Sequence, residues 1–442
     1  MNTPIADFLE RYADSECIRL HMPGHKGRGA LERTDITEVF GADSLFDADG
    51  IISESEANAS EIFGAYSLYS TEGSSLSIRA MLYLACLYAT EKGSDPVVLA
   101  GRNAHKSFVS AAALIGFEVE WLYSGEGSYL FCNVTPAELD AKILSMEKKP
   151  TAVYITSPDY LGNVSDISGL SAVCKKHGVL LLVDNAHGAY LKFLSPSRHP
   201  MDLGADMCAD SAHKTLHALT GAGYLHVSKN APHAFRDGAK AAMSLFASTI
   251  PSYLILSSLD KLNAVLFDGY SEELSRKIQK IDCIKQKLFD MGYSVIDGEP
   301  LKITISTKPY GYAGDELARL LCSKGIVSEF SDGDFLVLMP SADTDDGALD
   351  ALLTVLSTVP KRAPIVTQAP VLTPPCRAVS PREAVFSPSE EIPVEKALGR
   401  VLAAVTVSCP PAVPILVSGE VVSEEAVSAF KYYGIKKIKV IK

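Results

Sequence analysis

The sequence predicts an α/β fold with a mainly parallel sheet, followed by smaller α+β elements toward the C-terminus. Three observations carry this. Short apolar runs recur at strand length: "VVLA" (97–100), "AVYITS" (152–157), "VLLLVD" (179–184) and "AGYLHVS" (222–228). They are continuous rather than alternating, as strands covered on both faces must be. Segments of helical pattern lie between them. The chain of 442 residues, 47% hydrophobic and 21% charged, has the composition of a folded protein of two or three domains.

The helical segments carry start and stop signals. "SSLSIRAMLYLACLYATEKG" opens on serines and ends in glycine, "TPAELDAKILSM" has a Thr cap followed by Pro, and "DISGLSAVCKKHG" runs from Asp to Gly. From Ser258 to Gly292 one long charged amphipathic stretch reads as a helix or helix pair. After it come "YSVI", "LKITIS", a helix near "AGDELARLLCSKG", "FLVLMP" and a helix near "TDDGALDALLTVLSTV", a small α+β domain. Residues 361–393 are rich in proline and read as an extended connector. The expected division is an N-terminal arm and loop (1–60), a large domain (61–257), a linker helix and small domain (258–360), the connector, and a C-terminal segment (394–442).

Composition excludes several functions. A net charge of −12 and no basic stripe argue against nucleic acid; the one basic run, "KYYGIKKIKVIK", reads as an amphipathic last strand. No uncharged run reaches membrane-spanning length and no signal peptide is evident, so no membrane partner is expected. Nine cysteines without a CxxC pair or metal-ligand spacing point to a reduced cytoplasmic compartment and to no metal site.

The region joining "LLLVDNAHGAY" to "DMCADSAHKTLHALTGAGYLHV" carries the chemistry. Asp184 ends a buried strand, where open α/β sheets place ligands, and Lys214 follows between an apolar run and a Thr/Gly-rich exit. A carboxylate and a lysine at one sheet edge are what pyridoxal 5'-phosphate requires. The lysine holds its aldehyde as an imine, and the carboxylate keeps its pyridine nitrogen protonated, so that the ring draws electrons. The lysine must also lose its proton, which partial burial and the neighbouring His213 favour. Taken singly, Asp184 also reads as a strand-end cap and Lys214 as a surface lysine. The phosphate needs donors at a helix start; Gly73, Ser74 and Ser75 in "YSTEGSSLSIRAM", with Ser211, supply candidates. His105, after the strand "VVLAG", suits either stacking on a flat ring or capping the next helix. A His-Lys pair occurs three times, at His25-Lys26, His105-Lys106 and His213-Lys214, and only the last follows a strand-end aspartate.

The succession "LHMPGHKGR", "TDITEV", "YSTEGSSLSIRAM", "GRNAHKSFVSAAAL", "AVYITSPDYLGNVSDI", "LLVDNAHGAY", "ADSAHKTLHALTGAGYLH" and "VEKALGRVLAAVTVSCPPAVPILVSGE" resembles the Orn/Lys/Arg decarboxylase family of fold-type I pyridoxal phosphate enzymes. The resemblance implies an aspartate aminotransferase-like large domain and spans residues 20–420 nearly in full. It implies Lys214 as the imine-forming lysine, Asp184 as partner of the pyridine nitrogen and His105 on the ring face. Ser74, Ser75 and Ser211 would hold the phosphate beside His213, and His187 would sit near the ring oxygen or the substrate carboxylate. The loop bearing His25 and Lys26 would reach the site at a subunit boundary, so the partner is a second copy in a homodimer or higher homo-oligomer. The chain departs from the family at Asn185, where glutamate is common, in "GADSLF" (41–46) and in "CPPAVPILVSGE" (409–420). It resembles the short form, without the N-terminal wing domain.

The implied reaction is decarboxylation of arginine, lysine or ornithine to the amine and CO2, with Lys214 or His213 returning the proton. Asp43, Asp47 and Glu420 are the candidates to meet the substrate's distal cation. The alternatives are an aminotransferase, for which Arg377, Arg382 or Arg400 would clamp the carboxylate, an aldolase-type lyase, or a silent regulatory subunit. Both Lys214 and Asp184 are present, against the last.

Overall fold

The computed structural model describes the chain apart from residues 16, 124–131 and 410–412. The strands through residue 227 are β1 (Tyr66–Ser70), β2 (Val97–Gly101), β3 (Glu118–Leu122), β4 (Ala152–Thr156), β5 (Leu180–Asp184), β6 (Met207–Asp210) and β7 (Gly223–Val227). The helices among and around them are α1 (Pro4–Asp14), α2 (Ile51–Phe63), α3 (Gly73–Glu91), α4 (Lys106–Ile115), α5 (Pro136–Ser145), α6 (Ile167–His177), the one-turn α7 (Ala212–Thr215), α8 (His233–Ser244) and α9 (Tyr253–Phe267). The chain forms two compact units, residues 1–95 with 167–274, and residues 96–166 with 275–442. Both are discontinuous in sequence, whereas the expected division cut the chain serially.

In the first unit the strand order is β1-β7-β6-β5. β5 and β6 are parallel, and β7 is antiparallel to both β6 and β1. Every residue of β5, β6 and β7 is buried, which is why these runs are mostly apolar rather than alternating. β6 and β7 are joined through α7, so the ends of β5 and β6 and the start of β7 meet at one edge. Gly223 makes this approach possible: a Cβ there would lie 2.8 Å from the Asp210 carbonyl oxygen and 3.0 Å from the Gly73 carbonyl carbon. Gly73 begins α3 with φ +66°, a conformation that costs glycine nothing.

In the second unit β4-β2-β3 run parallel. α5 starts with the expected cap, a Thr135–Glu138 capping box with Pro136 at its first position. The anticipated helix pair is α9 and α10 (Tyr270–Asp290). The small domain follows with β8 (Ser294–Val295), β9 (Ile303–Ser306), α11 (Gly314–Ser323), β10 (Phe330–Ser331), β11 (Phe335–Leu338) and α12 (Asp346–Ser357), its strands ordered β10-β11-β9-β8. The connector is shorter than the sequence suggests. Residues 381–393 are not extended linker, because α13 (Pro381–Phe386) and β12 (Ser389–Pro393) occupy them. Ser380 and Glu383 form a capping box with Pro381 at the first helical position, where a missing N–H costs nothing. Beyond lie β13 (Thr406–Cys409), β14 (Val413–Val417), α14 (Glu424–Tyr432) and β15 (Lys437–Ile441). β15 pairs with β12 and alternates exposed lysines with buried Ile438 and Val440, as the basic tail predicts. Among the described residues no helix is long and apolar enough to cross a membrane.

Candidate active site

Asp184 closes β5 with 2% of its surface exposed and lies opposite Ala209 of the parallel β6. Its Oδ1 accepts from the Ala186 amide at 3.2 Å, so the carboxylate also shapes the turn that follows. That turn carries His187, which is buried. From the neighbouring strand end, two residues past Ala209, Ser211 opens α7 and Lys214 lies one turn on, its amide donating to the Ser211 carbonyl at 3.2 Å. Lys214 Nζ and His187 Nε2 are 2.9 Å apart. Two parallel strands ending together thus deliver a buried carboxylate, a histidine and a half-buried lysine to one edge.

His213 donates from Nδ1 to the Ala222 carbonyl at 2.8 Å, leaving Nε2 with the lone pair. Burial depresses its basicity, and the Lys214 charge adds to this against the supporting bond from Ala222. The ring abuts the start of α3, where a Cβ on Gly73 would lie 3.6 Å from its Cε1. There Ser211 Oγ donates to Ser74 Oγ at 2.9 Å. Ser74 is buried and Ser75 half-buried. Paired hydroxyls at the N-terminus of a 19-residue helix form a donor set suited to a phosphate. A buried carboxylate, a lysine held by a histidine, and hydroxyls at a helix start together match the three polar ends of pyridoxal phosphate: ring nitrogen, aldehyde and phosphate.

His25 and Lys26 occupy a turn of the N-terminal arm. His25 Nε2 is 3.1 Å from Asp35 Oδ2, Lys26 Nζ donates to the His21 carbonyl at 2.5 Å, and Lys26 has φ +57°. Both engage their own loop. His105 lies in the second unit at the end of β2, as the N-cap of α4, with Nδ1 accepting from the Ser107 amide at 3.3 Å. The capping reading is realised.

Several candidates for reading the substrate have structural work instead. Asp43 accepts backbone amides from Ser44, Asp49, Gly50 and Ile52 within 3.1 Å and fixes the start of α2. Glu420 is fully buried against Arg102 at 2.9 Å and accepts the Val417 amide at 2.8 Å; burial raises its pKa against the pull of Arg102. Asp47 is exposed. Arg377 donates to the Val119 carbonyl, Arg382 to the Leu114 carbonyl and Arg400 to the Ile441 carbonyl, at 2.6, 2.8 and 2.6 Å. Each is committed to chain carbonyls rather than to a substrate clamp. Of "CPPAVPILVSGE", residues 410–412 lie outside the described residues.

The sequence reading missed a buried cluster behind this edge. Asp210, the last residue of β6, gathers Asn185, His199, Cys208 and His226, all buried. His199, Cys208 and Asp210 present ligand-type atoms within 4.8 Å of one another. The available signal was a carboxylate closing the otherwise apolar strand "MCAD"; apart from Cys208, its partners lie outside that strand, His199 11 and Asn185 25 positions away.

Comparison with known proteins identifies the family. Residues 3–292 match the family model described as Orn/Lys/Arg decarboxylase, major domain, and residues 366–437 match that family's C-terminal domain. An arginine decarboxylase of Bacillus subtilis is 26% identical over 462 aligned positions, covering 96% of this chain and 92% of the relative. One of Halalkalibacterium halodurans is 27% identical over 458 positions, covering 96% and 91%. Among solved structures, the lysine decarboxylase of Francisella novicida superposes with a TM-score of 0.81 at 17% identity, covering all of this chain and 81% of that one.

Proposed function

The chain belongs to the Orn/Lys/Arg decarboxylase family, as a pyridoxal phosphate-dependent decarboxylase of a basic amino acid, and we propose that arginine is its substrate. Relatives named arginine decarboxylases, aligned over nearly the whole chain, support this choice. The observation that carries the site assignment is the Lys214–His187 pair beside the end of β5.

When bound, pyridoxal phosphate supplies an aldehyde for an amine and a protonated ring that takes the electron pair left by departing CO2. Asp184, buried at the strand end, keeps the proton on the ring nitrogen. Lys214 Nζ must be neutral to offer its lone pair. The 2.9 Å contact with His187 Nε2 holds Nζ in place for this. Ser74 and Ser211, with the first amides of α3, orient the phosphate.

Lys214 returns the proton to the substrate carbon. His213 is poorly placed for this task, because its Nδ1 hydrogen is committed to Ala222 and burial resists a second proton on Nε2. The loop of His25 and Lys26 would serve a neighbouring subunit's site in a homodimer. Exposed Ile18, Leu20, Met22, Leu31 and Phe40 around it support a covering partner, since a run of exposed apolar residues marks an interface.

Borohydride reduction of the yellow protein, followed by peptide mass mapping, tests the assignment. A pyridoxyl mass on the peptide containing Lys214 is expected. A label on another lysine would overturn it.

A further inference from the structure

The buried Asp210 cluster lies one residue before Ser211 and four before Lys214, yet no step of the reaction uses it. Oδ1 of Asp210 accepts Asn185 Nδ2 at 2.8 Å and Cys208 Sγ at 3.2 Å. Oδ2 lies 2.9 Å from His199 Nε2 and 3.3 Å from His226 Nε2. The side chains of Asp210, His199 and His226 are wholly buried. Hydrogen positions follow from the outer partners. The Met201 amide donates to His199 Nδ1 at 3.3 Å, so His199 carries its hydrogen on Nε2 and donates to Asp210. His226 Nδ1 is 2.8 Å from Ser67 Oγ, and its Nε2 faces Asp210 Oδ2 at 3.3 Å without hydrogen-bond geometry. The same assignment makes His199 Nε2 a donor rather than a metal ligand.

Asp210 is therefore a carboxylate that accepts from Asn185, His199 and Cys208, with the His226 ring alongside. Burying a carboxylate without a cation is costly, and the fold has a cheaper solution. An asparagine at 210 would keep its bond to His199; Asn185, whose Oδ1 is buried without a partner, could rotate its amide to accept the new N–H, and only the weak Cys208 thiol donor would lose its acceptor. Hydrogen bonding alone thus does not call for the charge. The groups around the carboxylate come from the end of β5 (Asn185), the loop before β6 (His199), β6 itself (Cys208) and β7 (His226), the elements whose ends converge at Lys214.

We propose that Asp210 is a positioning residue for the cofactor site, its buried carboxylate drawing the ends of β5, β6 and β7 together and thereby fixing Ser211 and Lys214. This rests on Lys214 being the cofactor lysine. The test is titration of the apoprotein with pyridoxal phosphate, without substrate, for wild type, Asp210→Asn and the swap Asp210→Asn/Asn185→Asp. The swap keeps one carboxylate and the same hydrogen bond, reversed.

Asp210→Asn raises the cofactor Kd about tenfold or more while the apoprotein melts no earlier than wild type, and the swap brings Kd to within about threefold of wild type. A wild-type Kd in Asp210→Asn, or a swap that binds no better than the single variant, overturns the proposal. If Asp210→Asn does not fold, the swap decides: folded with a wild-type Kd upholds it, and unfolded or weak-binding overturns it. Wild-type protein that takes up no cofactor at Lys214 would instead refute the site assignment itself.

Discussion

Lys214 Nζ stands 2.9 Å from His187 Nε2, and this contact joins the two strand-end segments of the first unit. Lys214 comes from the turn after β6 and His187 from the turn after β5, so the pair exists only if those parallel strands end in register. Replacing Lys214 by Ala removes the amine that holds the cofactor. Activity should fall about a thousandfold or more, and the absorbance of lysine-bound cofactor should vanish, while far-UV circular dichroism is unchanged.

His187→Asn leaves the lysine in place without its ring acceptor. A loss of about a hundredfold in kcat/KM is expected, and the pH–rate profile should shift because Nζ loses the partner that orients its neutral form. A profile superimposable on wild type would assign His187 to packing alone.

Ser74 and Ser211 are hydrogen-bonded to each other at 2.9 Å and are assigned to the same phosphate. Each Ser→Ala change should raise the cofactor Kd about fivefold, and the double variant should fall short of the product, because residues of one network do not add. Strict multiplicativity in an equilibrium titration would separate the two sites.

Glu420 and Arg102 test the boundary between structure and substrate reading. The pair is fully buried, and Arg102 also donates to the Pro414 carbonyl at 2.9 Å. Glu420→Ala leaves a buried guanidinium without its carboxylate and should cost about 3–5 kcal/mol in denaturant unfolding. KM for the amino acid in folded protein should stay unchanged; a KM that rises with intact stability would restore Glu420 to the substrate.

Asp260 gives a signed pH effect. Burial lifts its carboxyl from 3.8 to about 6, against the Ser55 hydroxyl and the amides that bond it. Between those values the folded chain binds a proton that the unfolded chain does not, so this group's contribution is full below 3.8 and declines as pH rises through 6. Asp260→Asn cannot titrate. The stability of wild type relative to this variant should therefore drop by on the order of 2–3 kcal/mol from pH 4 to pH 7, measured by urea unfolding at each pH.

What the sequence disclosed was local. Strand ends followed by Asp184, by Ser211-His213-Lys214 or by His105 are contiguous patterns, and the structure puts each at a strand end. Residues 381–393 read as connector because proline fixes φ and removes a donor, although Ser380, Pro381 and Glu383 spell a helix start. Asp43 and Glu420 resembled cation readers because a carboxylate's donors cannot be seen along the chain; theirs are backbone amides of a following turn and an arginine 318 positions away. The Asp210 cluster was hidden for the same reason, its histidines arriving from a loop and from β7.

Amine formation and CO2 release, measured together on purified holoenzyme with arginine, lysine and ornithine in turn, test the central claim most directly. The account predicts equimolar CO2 and amine, fastest from arginine, and none from Lys214→Ala. Conversion of the cofactor to its amino form with a keto acid product and no CO2 would contradict it.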